Sequence, residues 1–166
     1  MGHNLRAIIA KSGVLTPVAN AWIHAETIEL TQGFSLIKVT DLLLDDINEL
    51  INVKQNDPYD EFDDLTGSLH QLLLDESEKQ RSLLAYIETD YFGGVGTQTA
   101  ILYENGVSHK PLKTESKWDQ ENYCHSHEPI GIWAINTVLQ KMGVICAGEK
   151  DEFDSIRLGW YRKTDN

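Results

Sequence analysis

Leu83-Leu84-Ala85-Tyr86-Ile87-Glu88-Thr89-Asp90-Tyr91-Phe92, then Gly93-Gly94-Val95-Gly96, then Thr97-Gln98-Thr99-Ala100-Ile101-Leu102-Tyr103: this stretch decides the fold. Both flanking runs are rich in β-branched and aromatic residues, which suit a pleated surface. The glycines between them supply the positive φ that a tight reversal needs. Residues 83–104 therefore read as an antiparallel hairpin. On its first strand Tyr86, Glu88 and Asp90 share one face, with alternate Cα atoms about 7 Å apart. Ile87, Thr89 and Tyr91 share the other, which reads as the core face. The glycines do not make a phosphate loop. There is no Gly-Lys-Ser/Thr and no Gly-x-Gly-x-x-Gly, and two carboxylates stand where they would repel phosphate.

Upstream, Leu5, Ala7 and Ile9 alternate with Arg6, Ile8 and Ala10 as an opening strand. Thr16-Pro17 reads as a helix start, followed by Val18, Trp22 and Ala25 at helical spacing. Thr27 to Thr31 and Phe34 to Val39 read as two strands joined by Gln32-Gly33. From Thr40 the period changes to that of an amphipathic helix, with Leu43, Ile47, Leu50 and Ile51 on one face. Asn56-Asp57-Pro58-Tyr59 breaks it, Asp60 to Asp64 forms a charged loop, and a second helix carries Leu65, Leu69, Leu72 and Leu73 to about Gln80.

Downstream, Asn105-Gly106 marks a turn, and residues 107–128 show no clear period and read as a long surface loop. Pro129 then opens a helix with Ile132, Ile135, Leu139 and Met142 on one side and Gly143 just past its end. Ile156, Leu158 and Trp160 alternate as a last strand. Trp22, Trp133 and Trp160 fall on these elements and are expected in the core. Hairpins outnumber crossovers, so the expectation is one α+β domain, residues 1–166: a mostly antiparallel sheet with three to four helices packed on it.

Charge narrows the function. Between Asp41 and Glu78 lie twelve acidic residues and one lysine, so this segment holds −11 of the chain's −12. Such a field acts on association more than on folding. Nucleic acid and anionic membranes need a basic face, and the longest basic cluster, Arg157 with Arg162 and Lys163, sits beside Asp151, Glu152 and Asp154. No apolar run is long enough to span a bilayer. Met1 to Arg6 lacks the apolar stretch of a signal peptide, and Cys124 and Cys146 are the only cysteines. A cytoplasmic protein with free thiols is expected.

Two clusters offer chemistry. Glu88 and Asp90 are placed for acid–base work or for a divalent cation. In Tyr123-Cys124-His125-Ser126-His127-Glu128, the His-x-His spacing puts both rings on one side of an extended chain, as a zinc site requires. His125, His127, Glu88 and Asp90 are thus the candidate metal ligands of a hydrolase, though the main expectation is no cofactor. No nucleophile elbow is present, and a calcium-loop reading of Asp57 to Gly67 fails at Tyr59 and Phe62. Trp118 lies among Lys110, Lys113 and Lys117 and is a candidate interface anchor.

The opening Met1-Gly2-His3-Asn4-Leu5, the central Tyr86 to Gly96 and the ending Asp151-Glu152-Phe153-Asp154-Ser155-Ile156-Arg157-Leu158-Gly159 together resemble a family of small uncharacterised bacterial proteins. That resemblance implies a bacterial single-domain protein and no particular activity. The leading expectation is an acidic binding domain, immunity-protein-like in kind, that takes a basic protein partner such as a toxin. Asp60, Glu61, Asp63 and Asp64 would supply charge, with Tyr59 or Trp118 as apolar anchors. The alternatives are the metal-dependent hydrolase and a small-ligand pocket beside Gly93 to Gly96.

Overall fold

Residues 83–104 form the hairpin that organises everything else. In the computed structural model, which describes residues 2–54 and 58–161, its strands are β4 (Leu83–Phe92) and β5 (Val95–Glu104). The turn is two residues, Gly93 and Gly94, with φ of 62° and 84°. Both left-handed values match the twist of the strands they join. Gly96 is needed for a different reason: a Cβ there would lie 1.9 Å from the Asp90 carbonyl oxygen.

The other strands are β1 (Gly2–Lys11), β2 (Thr27–Glu29), β3 (Phe34–Lys38), β6 (Val107–Ser108), β7 (Leu112–Asp119) and β8 (Cys124–Glu128). They make one antiparallel sheet in the order β2-β3-β1-β4-β5-β7-β8, with β6 also paired to β5. The helices are α1 (Thr16–Ala21), α2 (Asp41–Ile51), α3 (Gly67–Gln80), α4 (Ala134–Lys141) and the single turn α5 (Glu152–Ser155). The α+β reading holds, with α5 added to the helices expected. No helix of the described residues is long and apolar enough to cross a membrane.

Helices cover the sheet on both sides. Ile8, Ile37, Tyr86 and Ile101 meet Leu43, Ile47, Leu69 and Leu73 of α2 and α3 on one side. Leu5, Leu36, Ile87 and Leu102 meet Ile135 and Leu139 of α4, with Ile156, on the other. Each such side chain is worth about 1.5–3 kcal/mol when removed from water. This corrects the reading of a single core face on β4, since the face of Tyr86 and Glu88 is covered as well. Tyr86 is fully buried and Glu88 is only 8% exposed; Asp90, past the end of the helical cover, is exposed.

The acidic helices form as their sequences indicate. The hydroxyls of Thr40 and Thr66 accept the backbone N–H groups of Leu43 and Leu69, closing the first turn of α2 and α3. Leu50, read as inward, is 74% exposed. Three further expectations change. Most of residues 107–128 is strand (β6, β7 and β8) rather than loop; the period is hidden because the inward positions of β7 after Leu112 are Thr114 and Ser116, both buried but not apolar. The helix expected at Pro129 begins at Ala134. The last strand is instead α5 and a 3-10 turn at Leu158–Trp160: the Asp151 carboxylate accepts the Asp154 N–H, and Arg157 turns the chain at φ 64°. Trp160 is consequently 71% exposed, Trp133 borders solvent, and neither is core. The break at Asn56-Asp57 and the basic residues Arg162 and Lys163 lie outside the described residues.

Candidate functional site

Phe62 is the one apolar side chain in Asp60-Glu61-Phe62-Asp63-Asp64, and it decides where the loop sits. It is buried and its ring packs 5.6 Å from that of Tyr86. With Phe62 seated, the backbone N–H groups of Asp63 and Asp64 reach down to Glu88 at 2.8 and 2.9 Å. The Tyr86 hydroxyl donates to the same carboxylate at 2.9 Å, and the Thr99 hydroxyl donates to the Glu61 carbonyl at 3.2 Å. A buried carboxylate on β4 therefore holds the acidic loop by its main chain and leaves Asp60 and Asp63 exposed, while the Asp64 carboxylate turns to Arg6. Sequence reading assigned Glu88 to chemistry; its oxygens are occupied in positioning the loop.

The electrostatics follow from that burial. Desolvation raises the pKa of Glu88. Hydrogen bonds from Asp63, Tyr86 and Asp64 oppose the rise, the charge of Asp64 reinforces it, and the net shift is upward. Arg6, on β1, reaches Asp41 at 2.6 Å and Asp64 at 3.3 Å. Burial lowers its pKa, but the hydrogen bond to Asp41 and the charges of Asp64 and Asp41 outweigh burial, so it stays charged. His24 meets Asp46, and Lys79 meets Glu76. Asp45, Glu49, Asp60, Glu61, Asp63 and Glu78 make no ion pair among the described residues. The acidic residues of α2, the loop and α3 thus gather on one side of the sheet, and distant cations offset only part of them.

The proposed anchors separate. Tyr59 is half-buried, with its hydroxyl 2.9 Å from Ser108 and its ring edge-on to His70 at 5.5 Å. It packs the loop rather than standing free. Trp118 is half-exposed but faces away from the acids. Gln98 pairs with Thr114, and Trp118 follows Thr114 at even spacing on β7, so it shares the α4 side. Phe92 was not singled out in the sequence. It continues the Glu88-Asp90 alternation past the acidic loop, pairs with Val95 and is 79% exposed. Alternation alone signals its side once Glu88 is located.

The same register divides the metal candidates. His125 and His127 pair with Trp118 and Ser116 on the α4 side, while Glu88 and Asp90 face the acidic layer. His125 lies edge-on to Trp118 at 4.9 Å, and His127 stacks on Trp133 at 4.3 Å while accepting the Gly131 N–H. The sheet stands between the two pairs. Among the described residues no three His, Cys, Asp or Glu side chains converge as a metal site. Cys124 and Cys146 are free and exposed.

On the α4 side the covering helix is held in a related way. The Thr114 hydroxyl accepts the Ala134 N–H at 2.9 Å and donates to the Ile132 carbonyl at 2.8 Å. The Gln98 side-chain oxygen accepts the Ile135 N–H at 2.9 Å. These bonds satisfy two of the N–H groups that a helix start leaves open. They also leave a hollow of about 270 Å³ between the sheet, the start of α4 and α5. Compared with family models, curated proteins and solved structures, the chain matches none.

Proposed function

We propose that the protein is a binding domain that holds a basic protein partner on its acidic face and so neutralises or sequesters it, as an immunity protein does a toxin. One observation carries this reading: Asp60, Glu61, Asp63 and Asp64 stand on a loop fixed from beneath by Glu88 and Phe62. Charges on a fixed backbone need little ordering when a partner arrives, which lowers the cost of association. Complementary charge also speeds encounter and suppresses wrong partners. Phe92, with Val95 beside it, is the apolar anchor on this side and replaces Trp118 in that role.

The test uses the partner captured by the wild-type protein, purified and shown to be basic. The variant Asp60→Asn/Glu61→Gln/Asp63→Asn/Asp64→Asn is expected to lower the association rate roughly tenfold or more at low salt. The gap should close as salt screens the field. Phe92→Ala should instead speed dissociation. Rates and affinity unchanged by both variants would remove the reading.

A further inference from the structure

We propose that the hollow on the α4 side is a binding site for a free amino acid with an aromatic side chain. It lies across the sheet from the acidic face and does not depend on the function proposed for that face.

The inner walls are rings held in place. His3 Nδ1 and the Thr89 hydroxyl share a 2.6 Å hydrogen bond, and the His3 ring lies 5.4 Å from that of Phe153. The Tyr91 hydroxyl accepts a hydrogen bond from Gln98, and Trp133 is stacked on His127. Fixed aromatic faces around a mostly apolar space suit a flat apolar group. The volume, about 270 Å³, falls just below the usual range of about 300–1,000 Å³ for drug-sized ligands, so one ring or a fused pair fits better than a nucleotide cofactor.

The outer border is polar. A second hollow, of about 350 Å³, shares Trp133, Asn136, Lys150 and Asp151 with the first. Lys150 and Asp151 are sequence neighbours of opposite charge, and neither is in an ion pair among the described residues. One Asp151 oxygen accepts the Asp154 N–H, which leaves the other for a ligand. The Asn136 oxygen accepts the Phe153 N–H, which leaves its amide donors. Glu152 lines only the second hollow and accepts a hydrogen bond from Gln140. The residues shared by the two hollows thus offer one cation, one carboxylate oxygen and one amide donor, which match an α-amino acid. Its carboxylate meets Lys150 and Asn136, its ammonium meets Asp151, and its ring enters the hollow. A simple acid or a simple amine would use only one of the two charges.

Titration calorimetry on the intact protein tests this with L-phenylalanine, L-tyrosine and L-tryptophan. 3-Phenylpropionate and 2-phenylethylamine serve as ligands lacking one charge each. At least one amino acid should bind, and each truncated analogue should bind about tenfold more weakly or worse. Lys150→Met and Asp151→Asn should each weaken the amino acid by about the same factor. Asparagine caps a helix as well as aspartate does, so α5 should survive the second change, and an unshifted melting curve checks it. Phe92→Ala, on the far face, should leave this binding as it is. Absence of heat with all three amino acids at millimolar concentration overturns the proposal. So does equal binding of either analogue, or binding unaltered in both charge variants.

Discussion

On one side of the sheet a carboxylate, Glu88, accepts two main-chain N–H groups from the segment above it; on the other, the neutral oxygens of Thr114 and Gln98 do the same for the start of α4. Both arrangements use a strand side chain to satisfy backbone donors that burial would otherwise leave open. They differ in charge. An ionised acceptor makes stronger hydrogen bonds but pays a desolvation penalty that a hydroxyl or amide does not. The two supports therefore differ in their response to pH: Glu88 titrates, whereas Thr114 and Gln98 do not.

The comparison breaks most directly by deletion. Glu88→Ala leaves two N–H groups and the Tyr86 hydroxyl without their acceptor and should cost roughly 3 kcal/mol in chemical denaturation. Thr114→Val removes one acceptor and one donor and should cost about 1–2 kcal/mol. Equal losses would erase the distinction between charged and neutral support.

A smaller effect sharpens it. The Glu88 pKa is raised above its ordinary 4.5, so the folded state holds that proton more tightly than the unfolded chain does. Its contribution to stability is complete below about 4.5 and is lost as pH climbs through the raised value. The stability difference between wild type and Glu88→Gln should fall over that interval, with a slope no steeper than about 1.4 kcal/mol per pH unit. The difference between wild type and Thr114→Val should stay flat. A difference for Glu88→Gln that rises with pH would reverse the sign of the argument. Smallest of all, Leu50→Glu on the exposed rim of α2 should change stability by no more than about 0.5 kcal/mol.

Much of this was legible. Two β-rich runs around paired glycines admit little but a hairpin, and leucines at helical spacing between carboxylates announce α2 and α3. The two-sided cover of β4 also had a signal, the unbroken Leu83 to Ile87, since a strand buried on both faces loses its alternation. β7 and β8 were hidden because Thr114, Ser116, His125 and His127 occupy one face of these strands, so the alternation is not one of apolar with polar. The C-terminal alternation of Ile156, Leu158 and Trp160 misled, since a short helix and a tight turn bury the first two as well as a strand would. At the site, the acids of the loop could be read directly. Their support by Glu88, and the sides taken by Phe92 and Trp118, depend on register across strands distant in sequence.

β1 comes first along the chain yet ends up in the middle of the sheet, between β3 and β4, where Leu5 faces Thr89. During synthesis it must remain half-satisfied until the ribosome has released some eighty further residues. Chains dominated by such distant pairings collapse to their final form slowly, and the waiting strand is an open template for neighbours. Leu5, sealed away in the finished molecule, pairs with β4 alone and so waits longer for cover than Ile8, Ile9 and Ala10, which the earlier β3 already pairs.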